Sequence, residues 1–226
     1  MAVRRLERVD VIVLLALTVL VFGYQSSLGL EQRLLFEYRY AAVPSNMWAA
    51  WHDFQEHGLD RQVLLAAMPL VTANFLHGDA MHIAGNMLFF WIFGNCVSQV
   101  TGRAVFVALY LLAGMVAVLV YVRTNPGSDI PMVGASGAIA GLEGAYFVFF
   151  YRWELPYATV WPLEGPQPPA RLGLVAIVNF ALDSGAFFGH SGGGVAYGAH
   201  VGGFVGGGIL AMIVATVWRP KFKSPR

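Results

Sequence analysis

Charge is what this sequence has least of. Only 12% of its 226 residues are Asp, Glu, Lys or Arg, about half the share that soluble domains carry, while 57% are hydrophobic. A water-exposed globule is excluded, and so is a disordered chain, whose signature is low hydrophobicity with high charge. The 14 basic side chains nearly balance the 13 acidic ones, for a formal net charge of +1, so nucleic acid is not an expected partner. Cysteine is almost missing too. The single Cys96 excludes an internal disulfide, and with Phe89, Phe90, Trp91 and Phe93 around it reads as a buried apolar residue. No internal repeat is visible, which argues against an inverted-repeat transporter. What remains is a chain whose main partner is the lipid bilayer.

A helix needs about 20 mostly apolar residues to cross a bilayer. Six such runs stand between polar or Gly/Pro-containing breaks, at about 9–26, 82–100, 104–122, 137–151, 171–188 and 197–218. They predict an all-α membrane protein, a single six-helix transmembrane bundle over 1–226 with no room for a separate soluble domain. The longest connection, about 28–81, carries Trp48, Trp51, Phe54 and an apolar stretch at 63–71, the pattern of amphipathic segments lying in the interface. Arg4, Arg5 and Arg8 precede the first run, but no small-x-small cleavage site follows it, so it is expected to be a retained helix rather than a signal peptide. Cytoplasmic loops collect Lys and Arg. Arg4, Arg5, Arg8, Arg103, Arg152, Arg171, Arg219, Lys221, Lys223 and Arg226 fall on one side, and Arg33, Arg39, Arg61 and Arg123 on the other. Both termini are therefore predicted to be cytoplasmic, with the second, fourth and sixth spans descending from the outer face.

Strongly polar residues inside spans are costly and mark candidate sites. Here they are His82, Asn86, Ser136, Glu143, Asn179, Asp183 and His200. In the predicted topology His82 and Asn86 lie in the first turns of the second span, Ser136 at the start of the fourth and His200 in the first turn of the sixth. They are distant in sequence but level in the membrane. His82 and Asn86, four apart, share a helix face, which serves an interhelical hydrogen bond as well as chemistry. Ser136 lies in a run of small residues, Gly134-Ala135-Ser136-Gly137-Ala138, and reads either as a helix cap or as a nucleophile. Ala138 separates it from the Gly-x-Ser-x-Gly elbow of soluble hydrolases. Gly198, Gly202 and Gly206 recur every four residues around His200. That stripe is expected to press the sixth span against the fourth, at Gly137 and Gly141, and so to bring His200 beside Ser136.

A serine hydroxyl becomes a nucleophile when a base removes its proton, and histidine is the usual base. The tetrahedral oxyanion then needs fixed donors, which the Ser136 backbone N–H at a helix N-terminus, His82 and Asn86 can supply. No carboxylate lies at the same depth, so the reading is a Ser-His dyad. The fourth span has about 15 residues, or roughly 22 Å against a hydrocarbon core near 30 Å, which sets Ser136 below the outer surface. The glycine-rich stretch 189–194 and the connection 125–131 are candidates for a cap and a water path.

Three segments in order carry a resemblance: His77-Gly78 followed by His82-Ile83-Ala84-Gly85-Asn86, then Gly134-Ala135-Ser136-Gly137, then Ala199-His200-Val201-Gly202-Gly203. On these, over about residues 60–215, the sequence resembles the rhomboid family of intramembrane serine proteases, in its minimal six-span prokaryotic form. The resemblance implies Ser136 as nucleophile, His200 as general base, and His82 and Asn86 with the Ser136 N–H as the oxyanion hole. It also implies a cavity open to the outer face and single-span transmembrane protein substrates, cut in or near the span where small residues permit unwinding. The plasma (inner) membrane is the expected location, and neither a cofactor nor a metal is expected. Two residues depart from the family pattern: Tyr38-Arg39 stands where a Trp-Arg pair is common in the first loop, and Ala140 where many members carry an aromatic against the catalytic histidine.

Glu143, seven residues after Ser136, points into the predicted bundle and reads as a structural or water-bound acid. Asn179 and Asp183 share a face of the fifth span and are expected to pair locally or with a neighbour. His77 and His82 have no third ligand in view and make a poor metal site. Segment 154–169, with five prolines, reads as a connector. Oligomeric state is left open. The competing functions are a proteolytically inactive relative that binds or escorts membrane proteins, and a small transporter using Glu143, Asp183 and the histidines.

Overall fold

The computed structural model describes residues 8–183, save the Asp183 side chain, and residues 197–217. The predicted end of the fifth span at 184–188, the stretch 189–194 and Trp218 lie outside the described residues. Helix α1 is Val9–Ser27, followed by four short helices: α2 Leu30–Tyr40, α3 Pro44–His57, α4 Arg61–Ala67 and α5 Pro69–Thr72. Five longer ones complete the fold: α6 Ala80–Thr101, α7 Arg103–Thr124, α8 Ser136–Arg152, α9 Pro169–Asp183 and α10 Tyr197–Val217. Among the described residues there is no β-strand, only two isolated bridges. Helices α1, α6, α7 and α10 are long and apolar enough to cross a membrane, whereas α8 has 17 residues and α9 has 15.

The short helix α8 is the centre of the bundle. Every residue from 137 to 146 is buried, and a helix buried all round belongs inside other helices. Its glycines let α10 reach it. A Cβ on Gly203 would come 2.0 Å from the Gly137 carbonyl oxygen, one on Gly207 2.0 Å from that of Gly141, and one on Gly144 2.1 Å from that of Phe204. No side chain fits at such distances, so the two backbones touch. The stripe Gly198, Gly202 and Gly206 does not make this contact, contrary to the expectation from its spacing. It faces α7, where Cβ atoms would meet Thr124, Val120 and Val116. The α8 contact belongs to the next row round, because one residue along a helix turns the face by about 100°. Helix α10 thus presents two glycine faces, one to α7 and one to α8.

Helix α1 lies at the periphery and buries only Val11, Thr18 and Gln25, one residue every seven, which is a single narrow seam. Polar contacts pin its two ends. Near its start the Arg8 guanidinium donates to the Asn95 carbonyl and to Gln99 Oε1, and Ser98 donates to Asp10, which fixes the far end of α6. At its other end Gln25 holds the segment just before α6, as described below.

The first connection is not a loose loop. It folds into α2–α5 and grips the segment leading into α8. Ala42 and Met132 exchange backbone hydrogen bonds of 3.1 and 2.8 Å, and the Ser45 N–H donates to the Ser128 carbonyl. The Ser45 hydroxyl donates to Asp129 at 2.6 Å, and the Trp48 indole N–H to the Val122 carbonyl at the end of α7 at 2.9 Å. The Gly134 N–H donates to the Ala73 carbonyl at 3.0 Å. Residues 132–135 are therefore set by the first connection before α8 begins.

Candidate active site

Ser136 is the first residue of α8, with Ala135 in the cap position. It is not the helix cap, the bland alternative for a serine in this place. The first backbone N–H groups of a helix have no partner within it and carry the positive end of the helix dipole. The Ser136 N–H is one of them. Gly134, two residues earlier, has φ +129°, a conformation that side chains rarely adopt. A Cβ there would also lie 2.8 Å from Nε2 and Cε1 of His82 and 3.6 Å from Nδ2 of Asn86. Glycine is demanded twice at this position, by the backbone turn and by the two side chains packed on it.

His200 sits in the first turn of α10, 6% exposed. Its Nε2 lies 2.7 Å from Ser136 Oγ across a sequence separation of 64 residues. The contact of Gly203 with Gly137 explains the approach, since these residues are one turn below His200 and one residue after Ser136. At this distance the serine hydroxyl and the ring nitrogen share a hydrogen bond, the geometry from which a base takes a nucleophile's proton.

Asp79 caps α6, its carboxylate accepting the His82 N–H at 2.8 Å. That bond holds the exposed Asp79 carboxyl below its ordinary pKa and fixes the first turn carrying His82. On the imidazole, Nδ1 faces the Gly78 N–H at 3.5 Å. A backbone donor on Nδ1 favours the tautomer with the proton on Nε2, so Nε2 is a donor, and this is the atom packed over Gly134. Asn86, one turn further along α6, is buried with its amide nitrogen toward the same glycine. The structure thus brings Ser136 and His200 into direct contact and gathers His82 and Asn86 on the residue two before Ser136.

Two residues belong to this site without a role in it being legible from the sequence: His77, which stands in the sequence only in the His77-Gly78 element of the resemblance and as a poor metal ligand, and Gln25. His77 is fully buried, and its Nε2 lies 3.0 Å from Asn86 Nδ2 and 3.5 Å from the Ala135 N–H. Gln25, also fully buried, clamps the His77 backbone. Its Nε2 donates to the His77 carbonyl at 2.9 Å and its Oε1 accepts the His77 N–H at 3.2 Å. The Gln25 amide also donates to Glu37, which accepts from Arg33, and Arg33 in turn donates to the Gly78 carbonyl. Burial, followed by the nearby His82, pushes the His77 pKa down to about 4, against smaller opposing pulls from the Phe75 carbonyl and Asp79. The five-residue spacing of His77 from His82 was the available signal for the first. A glutamine near the end of an apolar run was the signal for the second.

Away from the dyad, Glu143 is fully buried in α8 and its Oε1 accepts from Asn179 Nδ2 of α9 at 2.7 Å. Asn179 pairs with a neighbouring helix, one of the two arrangements expected of it. Ala140 is buried within α8, so no aromatic ring projects from that position toward His200.

A helical bundle of membrane-spanning character with a serine and a histidine in contact at two helix starts defines a class of protein, and comparison with known proteins narrows it. The Rhomboid domain family matches residues 65–217, and the chain belongs to that family. It is 31% identical over 139 residues to the Presenilin-associated rhomboid-like protein A, mitochondrial, of Danio rerio, covering 60% of this chain and 34% of the relative. It is 31% identical over 153 residues to the RHOMBOID-like protein 5 of Arabidopsis thaliana, covering 68% and 45%. It is 28% identical over 160 residues to the Rhomboid protein 1, mitochondrial, of Saccharomyces cerevisiae, covering 68% and 44%. The chain thus spans between a third and a half of the length of these relatives. Its apolar helices and its family make it a multi-pass membrane protein.

Proposed function

We propose that this protein is an intramembrane serine endopeptidase that hydrolyses peptide bonds in or near the transmembrane segment of single-span membrane proteins. The observation that carries the reading is the 2.7 Å contact of His200 Nε2 with Ser136 Oγ, made at the N-terminus of a central helix in a rhomboid-family chain. His200 takes the Ser136 hydroxyl proton as Oγ attacks the scissile carbonyl carbon. The carbonyl π pair moves onto oxygen, and the resulting oxyanion is met by the Ser136 N–H, His82 Nε2–H and an Asn86 amide N–H. As the tetrahedral intermediate collapses, the C–N bond breaks and His200 returns the proton to the leaving amine. Water then attacks the acyl-serine with His200 again as base, and the acid product departs as Ser136 regains its proton.

The likeness of all six predicted spans to α1, α6, α7, α8, α9 and α10 supports a six-crossing topology, including the two shorter helices. The basic-residue asymmetry supports cytoplasmic termini; the plasma (inner) membrane is the proposed location. The transport reading has less to rest on, because Glu143 is fully buried and hydrogen-bonded across to α9 rather than lining a path. The test is cleavage of a single-span reporter, with small residues near one end of its span, by protein reconstituted in liposomes, the cut being located by mass spectrometry. Cutting by wild type and not by Ser136→Ala is the expected result. Equal cutting by both would refute the reading.

A further inference from the structure

The oxyanion donors proposed above raise a question that the dyad does not answer, namely what holds the Asn86 amide. An asparagine has a rotatable terminal amide with two N–H groups and one oxygen, and in the wrong orientation it would present oxygen to an oxyanion. Its amide nitrogen lies 3.0 Å from His77 Nε2. Two arrangements fit that distance: Nε2 accepts from the Asn86 N–H, or Nε2–H donates to the Asn86 oxygen. The Ala135 N–H decides between them. It points at the same Nε2 from 3.5 Å, and a backbone donor facing a ring N–H would be repelled. With two donors converging on it, Nε2 must be the unprotonated nitrogen.

The rest of the ring's surroundings hold it in place, although Nδ1 is buried and makes no hydrogen bond of its own among the described residues. Gln25 holds both backbone groups of His77. His82 packs edge-on at 5.1 Å between ring centroids and Phe22 at 6.4 Å, which stops the imidazole from turning over. The two histidines therefore carry opposite tautomers. His82, with the Gly78 N–H on Nδ1, keeps its proton on Nε2, and His77 keeps its proton on Nδ1.

We infer that His77 is a positioning residue of the proposed peptidase: its Nε2 lone pair takes one Asn86 N–H, locks the amide with nitrogen toward Gly134, and leaves the second N–H to meet the oxyanion. This rests on the peptidase reading. His77 itself does not reach the reacting atoms; it acts through Asn86 and, by way of the Ala135 N–H, on the residue before the nucleophile.

The experiment has two arms. In the first, kcat and KM for reporter cleavage are measured for His77→Ala, Asn86→Ala and the double variant, with His77→Gln as the conservative variant whose side-chain oxygen still accepts a hydrogen bond. Loss of one oxyanion donor lowers kcat by about 100-fold or more. His77→Ala is expected to lower kcat by about 10- to 100-fold on the same grounds, with KM unchanged. It should add nothing in the Asn86→Ala background, and His77→Gln should recover part of the loss. Effects of His77→Ala and Asn86→Ala that simply multiply would overturn the inference. In the second arm, ring nitrogens of ¹⁵N-histidine-labelled full-length protein in micelles are observed at pH 7. The His77 Nε2 is expected to be unprotonated and to shift in Asn86→Ala; a protonated Nε2 would overturn the inference. This arm needs no activity, so failure of the wild type to cut any reporter would count against the peptidase reading while the His77 to Asn86 bond is judged separately.

Discussion

Gly203 of α10 rests directly on Gly137 of α8, so close that a Cβ at 203 would come 2.0 Å from the Gly137 oxygen. Gly137 follows Ser136, and His200 stands three residues before Gly203. The backbone contact therefore sets the separation of the two residues on which the proposed chemistry depends, with Gly207 on Gly141 continuing it one turn lower.

Widening this contact should be damaging well out of proportion to a methyl group. Gly203→Ala and Gly207→Ala are expected to destabilise the protein by about 1–3 kcal/mol each, as overpacking does, and Gly203→Ala to reduce cleavage further by moving His200 off Ser136. Gly23 of α1 has nothing within 4 Å of its Cβ position. Gly23→Ala is the control, expected to be neutral or stabilising by up to about 1 kcal/mol. Thermal unfolding in detergent alongside reporter cleavage checks all three.

The Glu143 to Asn179 bond joins α8 to α9 in a buried setting. Asn179→Ala should cost about 1–3 kcal/mol, since it removes a donor from a buried acceptor. Glu143→Gln keeps an oxygen for Asn179 and should change stability by less than about 1 kcal/mol with most cleavage retained, whereas Glu143→Ala should resemble Asn179→Ala. Denaturation midpoints in a fixed detergent give the comparison. Loss of cleavage in Glu143→Gln with stability intact would assign Glu143 a part in the chemistry.

His77 predicts a pH dependence of stability. Its pKa falls from an ordinary 6.5 to about 4 on folding, so between those values the unfolded chain binds more protons than the folded one. Stability should then decrease as pH is lowered from about 6.5 toward 4, by at most about 3 kcal/mol, and show no contribution from this group above pH 6.5. The nearby His82, Asp79 and Glu37 are unchanged in His77→Gln, which should flatten the slope. A slope identical in wild type and His77→Gln would contradict the assignment.

Gln25 should matter to activity although α1 is peripheral. Gln25→Leu leaves the buried N–H and carbonyl of His77 without their side-chain partners and is expected to cost about 2 kcal/mol or more. It should lower kcat through His77. A Gln25→Leu protein with unaltered kcat would show that the clamp is needed only for folding.

Much of this arrangement was legible in the sequence, for physical reasons that also mark where it stopped. Apolar runs declare membrane helices because a bilayer admits no unpaired backbone, and the ends of the runs lie within about two residues of the described helices, except the end of the fifth, which falls outside the described residues. Ser136 and His200 stood out because polar groups in apolar spans need a purpose. The glycine stripe was visible, but its direction was not: spacing gives a face, not the neighbour it meets, and the row through Gly203 and Gly207 proved to be the one on α8. The segment 28–81 could not be folded in advance, since its short helices are held by side-chain to backbone bonds such as Trp48 to Val122 and Thr72 to Tyr40. Gln25 lies at a span edge, where polar residues are ordinary, and His77 stood out only within the His77-Gly78 element; what the two do together shows only in their three-dimensional pairing.

The central claim is that Ser136 is a nucleophile activated by His200. Labelling by a fluorophosphonate, with the modified residue identified by mass spectrometry, tests it without any knowledge of the substrate. The account predicts modification of Ser136 in the wild-type protein, strong reduction in His200→Ala and none in Ser136→Ala. Modification of some other serine, or equal labelling of Ser136 with and without His200, would contradict it.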